Sequence, residues 1–290
     1  MDGILIINKP KGYTSHDVVN VIRKKLNIKK VGHTGTLDPN ATGVLPILVG
    51  QATKVSKYLI EHDKTYVAKL KLGEKTNTGD VEGEIVEKKD VPTNLHEEYV
   101  LEVLKKFTGK QKQTPPVYSA IKVNGKKAYE YARENKEIKL EAREIEIYKL
   151  DLIQFKENEI TFEVECSKGT YIRTLCEDIA GKLGTVGFMK ELERKKVNIF
   201  TIENAINLDD ISEKNIISLE KIFEDRERIF LNKRKLELFL NGVKLQFNLK
   251  DELYRIYSEN NFIGLGIVKD GILKRDVIIE KEKNNIDEKM

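Results

Sequence analysis

Hydrophobic positions change period several times along the chain. Gly3 to Asn8 is an unbroken apolar run with the character of a buried strand, and Lys9-Pro10-Lys11-Gly12 ends it with turn residues. Val18, Val19, Ile22 and Leu26 then recur at helical spacing behind Ser15, which offers an N-cap, and Gln51 to Ile60 reads as a further helix. From Thr65 to Gly73 apolar and polar positions alternate, which places Tyr66 near the start of a strand. A polar loop over 76–83, a strand at Ile85-Val86 and an amphipathic helix over 94–107 follow. Lys110 to Pro116 is expected to be irregular, Asn124-Gly125 marks a tight turn, and 128–134 reads as a helix. Two strands are predicted over 143–155 and 160–167, then a helix over 170–183 bounded by Gly169 and Gly184.

From about Asn204 the pattern is helical and highly charged, and near Leu231 it changes again. A short helix over 235–240, a turn at Asn241-Gly242 and short strands over 254–257, 262–268 and 276–279 predict a small β-rich second domain. The remainder, 280–290, is polar and expected to fray. Strands and helices so interleaved predict an α+β fold around a mixed, mostly antiparallel sheet with flanking helices. The predicted division is 1–228, with a basic and aromatic excursion over 110–137, then 229–282 and a tail over 283–290. Such an excursion is longer than a compact connection needs, and long excursions are usually functional or disordered.

Composition narrows the class without naming it. The 290 residues can hold a large core, and 40% hydrophobic with 34% charged residues describes a soluble globular protein. The net charge of +4, from 51 basic and 47 acidic side chains, does not announce nucleic acid, but lysines gather around Lys9, Lys11, 105–112 and 122–127. Cys166 and Cys176 have neither a partner pair nor a nearby histidine, and no metal-ligand spacing joins His16, His33, His62 and His96, so no metal is expected. With no long apolar stretch and no leader-like N-terminus, a cytoplasmic protein without membrane contact is expected.

The richest chemistry lies between Gly32 and Gly50, reading GHTGTLDPNATGVLPILVG. Its glycines and prolines forbid regular structure across the first half and hold a loop in one shape, with Asp38 inside it. Locally, Asp38 could do no more than close an Asx turn before Pro39. The whole string, however, resembles the catalytic loop of the TruB family, the bacterial tRNA pseudouridine synthases B. Asn8 to Gly12, Lys64-Thr65-Tyr66, QTPPVYSAIKVNGKKAYEYAR over 113–133 and SKGTYIRTL over 167–175 resemble further blocks of that family. The last part of the chain is similar to its small C-terminal PUA domain.

The resemblance implies a pseudouridine synthase fold and isomerisation of the T-loop uridine of tRNA, at the position conventionally numbered 55. The glycosidic bond is broken, the base turned, and C5 joined to C1′, with no cofactor. It implies that Asp38 is catalytic, as nucleophile or as base on the sugar. Tyr66 would stack on the uracil and help remove the C5 proton, and Arg173 would pair with Asp38, keeping it ionised and oriented. His33 would intrude into the T loop, Tyr171 and Leu192 would shape the uracil pocket, and Lys9 and Asp80 would lie near the substrate. Structural alternatives stand beside these: core packing for Tyr66, Tyr171 and Leu192, a surface arginine for Arg173, a turn hydrogen bond for His33, a cap for Asp80, and support beneath the site for Lys9. The expected partner is the tRNA T arm, without guide RNA, bound by a monomer.

Three positions depart from the family pattern. Its paired arginines read Glu193-Arg194, a glycine expected near Asn198 is absent, and Asn135 stands where glycine commonly follows an Ala-Arg pair. Asparagine tolerates positive φ. The contribution of 193–198 is therefore open at this level. Other classes remain on chemical grounds. A non-catalytic RNA-binding protein would not need Asp38, Tyr66 and Arg173 together, a guide-RNA enzyme would not need the long excursion, and a glycosidase would need two carboxylates at one bond.

Overall fold

Both faces of β1 (Gly3–Lys9) are covered, which is why its apolar run is unbroken instead of alternating. The structure, a computed structural model, describes residues 2–60, 62–134 and 136–279. The expectations for Asn135 and for the tail beyond 279 lie outside them. Helix α1 (Ser15–Leu26) buries Val18, Val19 and Ile22. Its N-cap is Thr14 and not Ser15, because Thr14 and Asp17 exchange side-chain and backbone bonds in a capping box. Ser15 is thereby free to grip Leu37, donating to its carbonyl at 3.2 Å and accepting its amide at 2.9 Å.

Strands β2 (Val31–His33) and β3 (Thr42–Val49) flank the Gly-rich loop. The expected helix after β3 is a 3-10 helix, Gly50–Tyr58. β4 (Lys64–Leu72) buries Tyr66, Ala68, Leu70 and Leu72 at period two, as expected. β5 (Glu74–Thr76) and β6 (Ile85–Lys88) bracket the polar loop, and α2 (Glu97–Lys105) starts later than predicted, behind an N-cap at His96. The stretch expected to be irregular begins as a strand, β7 (Gly109–Gln113). Its two prolines lie beyond the last paired residue, and it is an edge strand, where a chain about to meet proline is tolerated. β8 (Lys122–Val123) and β9 (Lys126–Lys127) close on Asn124-Gly125, both at positive φ, and lead into α3 (Ala128–Arg133).

β10 (Arg143–Lys156), β11 (Glu159–Cys166) and α4 (Ile172–Lys182) match their predicted positions. β12 (Gly187–Val197) was not predicted, and the short β13 (Phe200–Thr201) turns back on it. Past residue 204 the expected helices are mostly single 3-10 turns, then β14 (Ile217–Ser218) and α5 (Leu219–Ile222). Ile206, Ile211 and Ile216 pack against the core at every fifth residue, a spacing no helix face repeats. The final part holds β15 (Arg228–Phe230), α6 (Lys233–Leu240), β16 (Leu245–Gln246), β17 (Leu253–Ser258), β18 (Asn261–Lys269) and β19 (Ile272–Ile278).

Among the described residues the main sheet runs β14-β1-β3-β12-β4-β11-β10-β7, with β2 on β3 and β13 on β12. It is mixed: β3 and β12 are parallel, and every other pair is antiparallel. β12 thus stands at the centre. Its neighbour Gly43 has φ +101, and a Cβ there would lie 2.3 Å from the Arg194 carbonyl oxygen, so only glycine lets β3 and β12 approach. The second sheet has the order β15-β17-β18-β19-β16. Its Leu265 and Val277 share one apolar cluster with Ile4, Ile6, Val44 and Leu48 of the first, while Leu5, Ile7, Leu45 and Ile47 face the larger core. No described helix is long and apolar enough to cross a membrane.

Candidate active site

The loop between β2 and β3 carries no regular backbone ladder, so its carbonyls must find partners elsewhere. Lys9 supplies them from below. It is wholly buried, and its Nζ donates to the carbonyls of Pro10 at 2.9 Å, Tyr13 at 2.6 Å and Pro39 at 3.0 Å. Burial pushes its amine down to about 8, with the Asp38 charge opposing. Arg194 of β12 holds the loop from inside the sheet, donating Nε to Val44 O at 2.7 Å and Nη2 to Gly35 O at 3.1 Å. Ser15 holds Leu37 from α1. Three elements therefore fix the residues on both sides of Asp38.

Arg173 meets the Asp38 carboxylate from the first turn of α4, with Nε 3.2 Å from Oδ2. It is buried and not a surface arginine. Its Nη1 lies 3.4 Å from Asp80 Oδ2 and donates to Thr78 O at 3.1 Å, while Nη2 donates to Tyr118 O at 2.9 Å. Asp80 is both a turn residue and a partner, since its Oδ1 also accepts from Thr78 Oγ1 at 2.7 Å and from the Glu82 amide at 3.1 Å. Burial raises the Asp38 carboxyl above the ordinary range of an aspartate, Asp80 adds to the rise, and Arg173 and Lys9 oppose it. Arg173 orients Asp38 and limits the shift without reversing it.

A cleft of about 440 Å³ opens beside this pair. Asp38, Tyr66, Tyr171, Arg173 and Leu192 all line it, with apolar walls from Leu37, Ile172 and Met189 and aromatic ones from Tyr118 and Tyr129. Tyr66 faces Arg194 across the β4–β12 ladder. Burial holds the Tyr66 phenol protonated, and the Arg194 charge works the other way. Tyr171 precedes α4, and Gln113 clamps its backbone twice, accepting from its N–H at 2.8 Å and donating to its carbonyl at 3.0 Å. Leu192 contributes apolar wall from β12.

The other expected residues are not in the wall. Lys9 and Asp80 support it from behind, Lys9 by clamping the loop carbonyls and Asp80 by pairing with Arg173. His33 lies outside the cleft, its Nδ1 accepting the Gly35 amide at 3.3 Å, and burial lowers its pKa and favours the neutral ring. The departures from the family pattern are accommodated. Asn198 adopts φ 53 in the β12–β13 turn, as the expected glycine would, and Glu193 is partly exposed and paired with Lys195 at 3.6 Å. Arg194, Ser15 and Gln113 were missed from sequence. The one available signal was alternation across Leu192 and Arg194, both buried, with charged neighbours between and around them. Among the described residues, no group of three or more His, Cys, Asp or Glu is placed to hold a metal, and Asp38 is the one carboxylate lining the cleft.

Comparison with known proteins identifies the family. A model of the TruB family pseudouridylate synthase N-terminal domain matches residues 23–172, and one of the tRNA pseudouridylate synthase B C-terminal domain matches 173–236. The chain belongs to the TruB family. Among its relatives, tRNA pseudouridine synthase B of Alkaliphilus oremlandii is 44% identical over 93% of this chain and 94% of the relative. The protein of the same name from Clostridium tetani is 45% identical over 92% and 95%. Among solved structures, an H/ACA RNP bound to a substrate RNA containing 2′-deoxyuridine aligns with TM-score 0.68 and 25% identity, covering 96% of this chain and 85% of that one. A Cbf5-Nop10-Gar1 complex aligns with TM-score 0.66 and 27% identity over 97% and 84%. The TruB fold and the pseudouridine synthase class follow for this chain.

Proposed function

We propose that this synthase isomerises one uridine in the T loop of tRNA, at the position conventionally numbered 55, with Asp38 as the catalytic group. One observation carries the proposal: in a cleft with a single carboxylate, Asp38 is held 3.2 Å from a buried arginine and beside a buried tyrosine. A glycosidase would place two carboxylates there. Breaking the bond from C1′ to N1 leaves an electron-poor sugar carbon, which the Asp38 carboxylate engages as nucleophile or relieves as base. Turning the uracil brings C5 to C1′. The new bond forms, C5 gives up its proton, N1 gains one, and the product is an isomer of the substrate. Tyr66 lines the cleft where it can face the base and take part in removing the C5 proton.

A T-loop uridine is stacked, and extruding it costs roughly a few kcal/mol. The compact imidazole of His33, kept neutral by burial, fits the role of filling the gap. The excursion over 110–137, with its basic hairpin and the Tyr118 and Tyr129 rings on the cleft, acts as the arm that grips the RNA. The C-terminal sheet from residue 229 is assigned as a PUA-like domain on the acceptor side of the tRNA. A complete arm favours a stand-alone enzyme over one needing a guide RNA. The test is an unmodified tRNA transcript incubated with the protein alone, with pseudouridine mapped by carbodiimide labelling and primer extension. One modified T-loop uridine is expected, and modification elsewhere, or only with added RNA or protein, would overturn the proposal.

A further inference from the structure

Ser119 stands in the arm just before the β8–β9 hairpin and is 5% exposed, yet it lines the cleft that holds Asp38. Its backbone is fully engaged, donating to Val117 O at 2.8 Å and accepting from the Tyr129 amide at 3.1 Å. The preceding carbonyl, Tyr118 O, takes the Arg173 Nη2 bond at 2.9 Å. Ser119 is therefore anchored to the same arginine that orients Asp38. Its hydroxyl is different: among the described residues it is buried and has no protein group within hydrogen-bond reach. The other buried polar groups of the wall are committed, Arg194 and Arg173 to loop carbonyls and Lys64 Nζ to His62 O. The remaining buried atoms of this kind, on Arg23, Thr34 and Gln51, do not line the cleft.

A buried hydroxyl left without a partner is a burden on stability, and such groups concentrate where a ligand uses them. We propose that Ser119 is a substrate contact: its hydroxyl bonds a polar atom of the extruded uridine and holds the base against Asp38 while it turns. The inference rests on the pseudouridine synthase reading of this same cleft. A serine hydroxyl suits a turning base because it donates and accepts and can rotate. Uracil presents carbonyl acceptors and N–H donors in sequence around its edge, and a fixed donor would match only one stage.

The test compares wild type with Ser119→Ala and Ser119→Cys, both close in volume, for single-turnover rate on a tRNA transcript, tRNA affinity and thermal midpoint. The thermal midpoint is expected to hold or rise in Ser119→Ala, because a partnerless hydroxyl is removed. The rate is expected to fall roughly tenfold in both variants, the loss of about one hydrogen bond, with affinity within about twofold because phosphate contacts dominate it. An unchanged rate beside an active wild type would overturn the contact, as would a rate loss that merely follows a lowered thermal midpoint. An inactive wild type would overturn the reading beneath it, and the contact with it.

Discussion

At the scale of single residues, Asp38 is set between opposing influences. Burial and Asp80 raise its carboxyl, and Arg173 and Lys9 restrain the rise. In the proposed reaction the carboxylate is the active form, so rate is expected to be retained above the raised pKa and lost as pH falls through it. Removing the Arg173 charge takes away the largest restraint. In Arg173→Met the acid limb of the single-turnover pH profile is expected to move to higher pH, whatever the drop in maximal rate. A limb that stays in place would show that Arg173 acts on Asp38 through position alone. Asp38, Tyr66 and Arg173 were legible in sequence because each lies in a contiguous motif. The roles of Arg194, Ser15 and Gln113 were not, because each acts on backbone from another element, and only the alternation around Arg194 hints at its burial.

Among elements, β12 decides the site, for it brings Leu192 to the cleft wall and places Arg194 against both Tyr66 and the Gly-rich loop. Its place beside β3 depends on Gly43. Gly43→Ala would put a methyl group 2.3 Å from the Arg194 carbonyl at a positive φ. The expected result is a loss of about 1–3 kcal/mol or more in urea unfolding, with activity falling alongside. A midpoint equal to wild type would contradict the packing described. Period two announced β4 and β11 because their buried faces are apolar. In β12 the buried face itself includes an arginine and the other face is Glu and Lys, so the alternation vanished into a charged stretch. The 3-10 helix over Gly50–Tyr58 shares its apolar spacing with an α-helix over so few turns, and sequence could not separate them.

For the whole molecule, the two sheets are not joined by a loose linker. Leu265 and Val277 complete a core begun by Ile4, Ile6, Val44 and Leu48, and the Tyr58 hydroxyl donates to Asp276 at 2.6 Å across the junction. A chain ended before residue 228 would expose that core. It is expected to unfold at lower urea than the full chain, besides binding tRNA less well. Unchanged unfolding would show two independent units. Sequence located the change of pattern near residue 231 and the strands beyond it, but not the shared core, since contacts between distant strands have no periodicity to read.

The most direct test of the central claim is tritium release from a tRNA transcript carrying 5-tritiated uridine, with wild type and Asp38→Asn side by side. C5 loses its hydrogen only when it becomes the glycosidic atom. Release by wild type, none by Asp38→Asn, and tRNA affinity within about threefold, as expected where phosphates dominate binding, is the predicted result. Release by Asp38→Asn at the wild-type rate, or none by wild type despite tight tRNA binding, would contradict it.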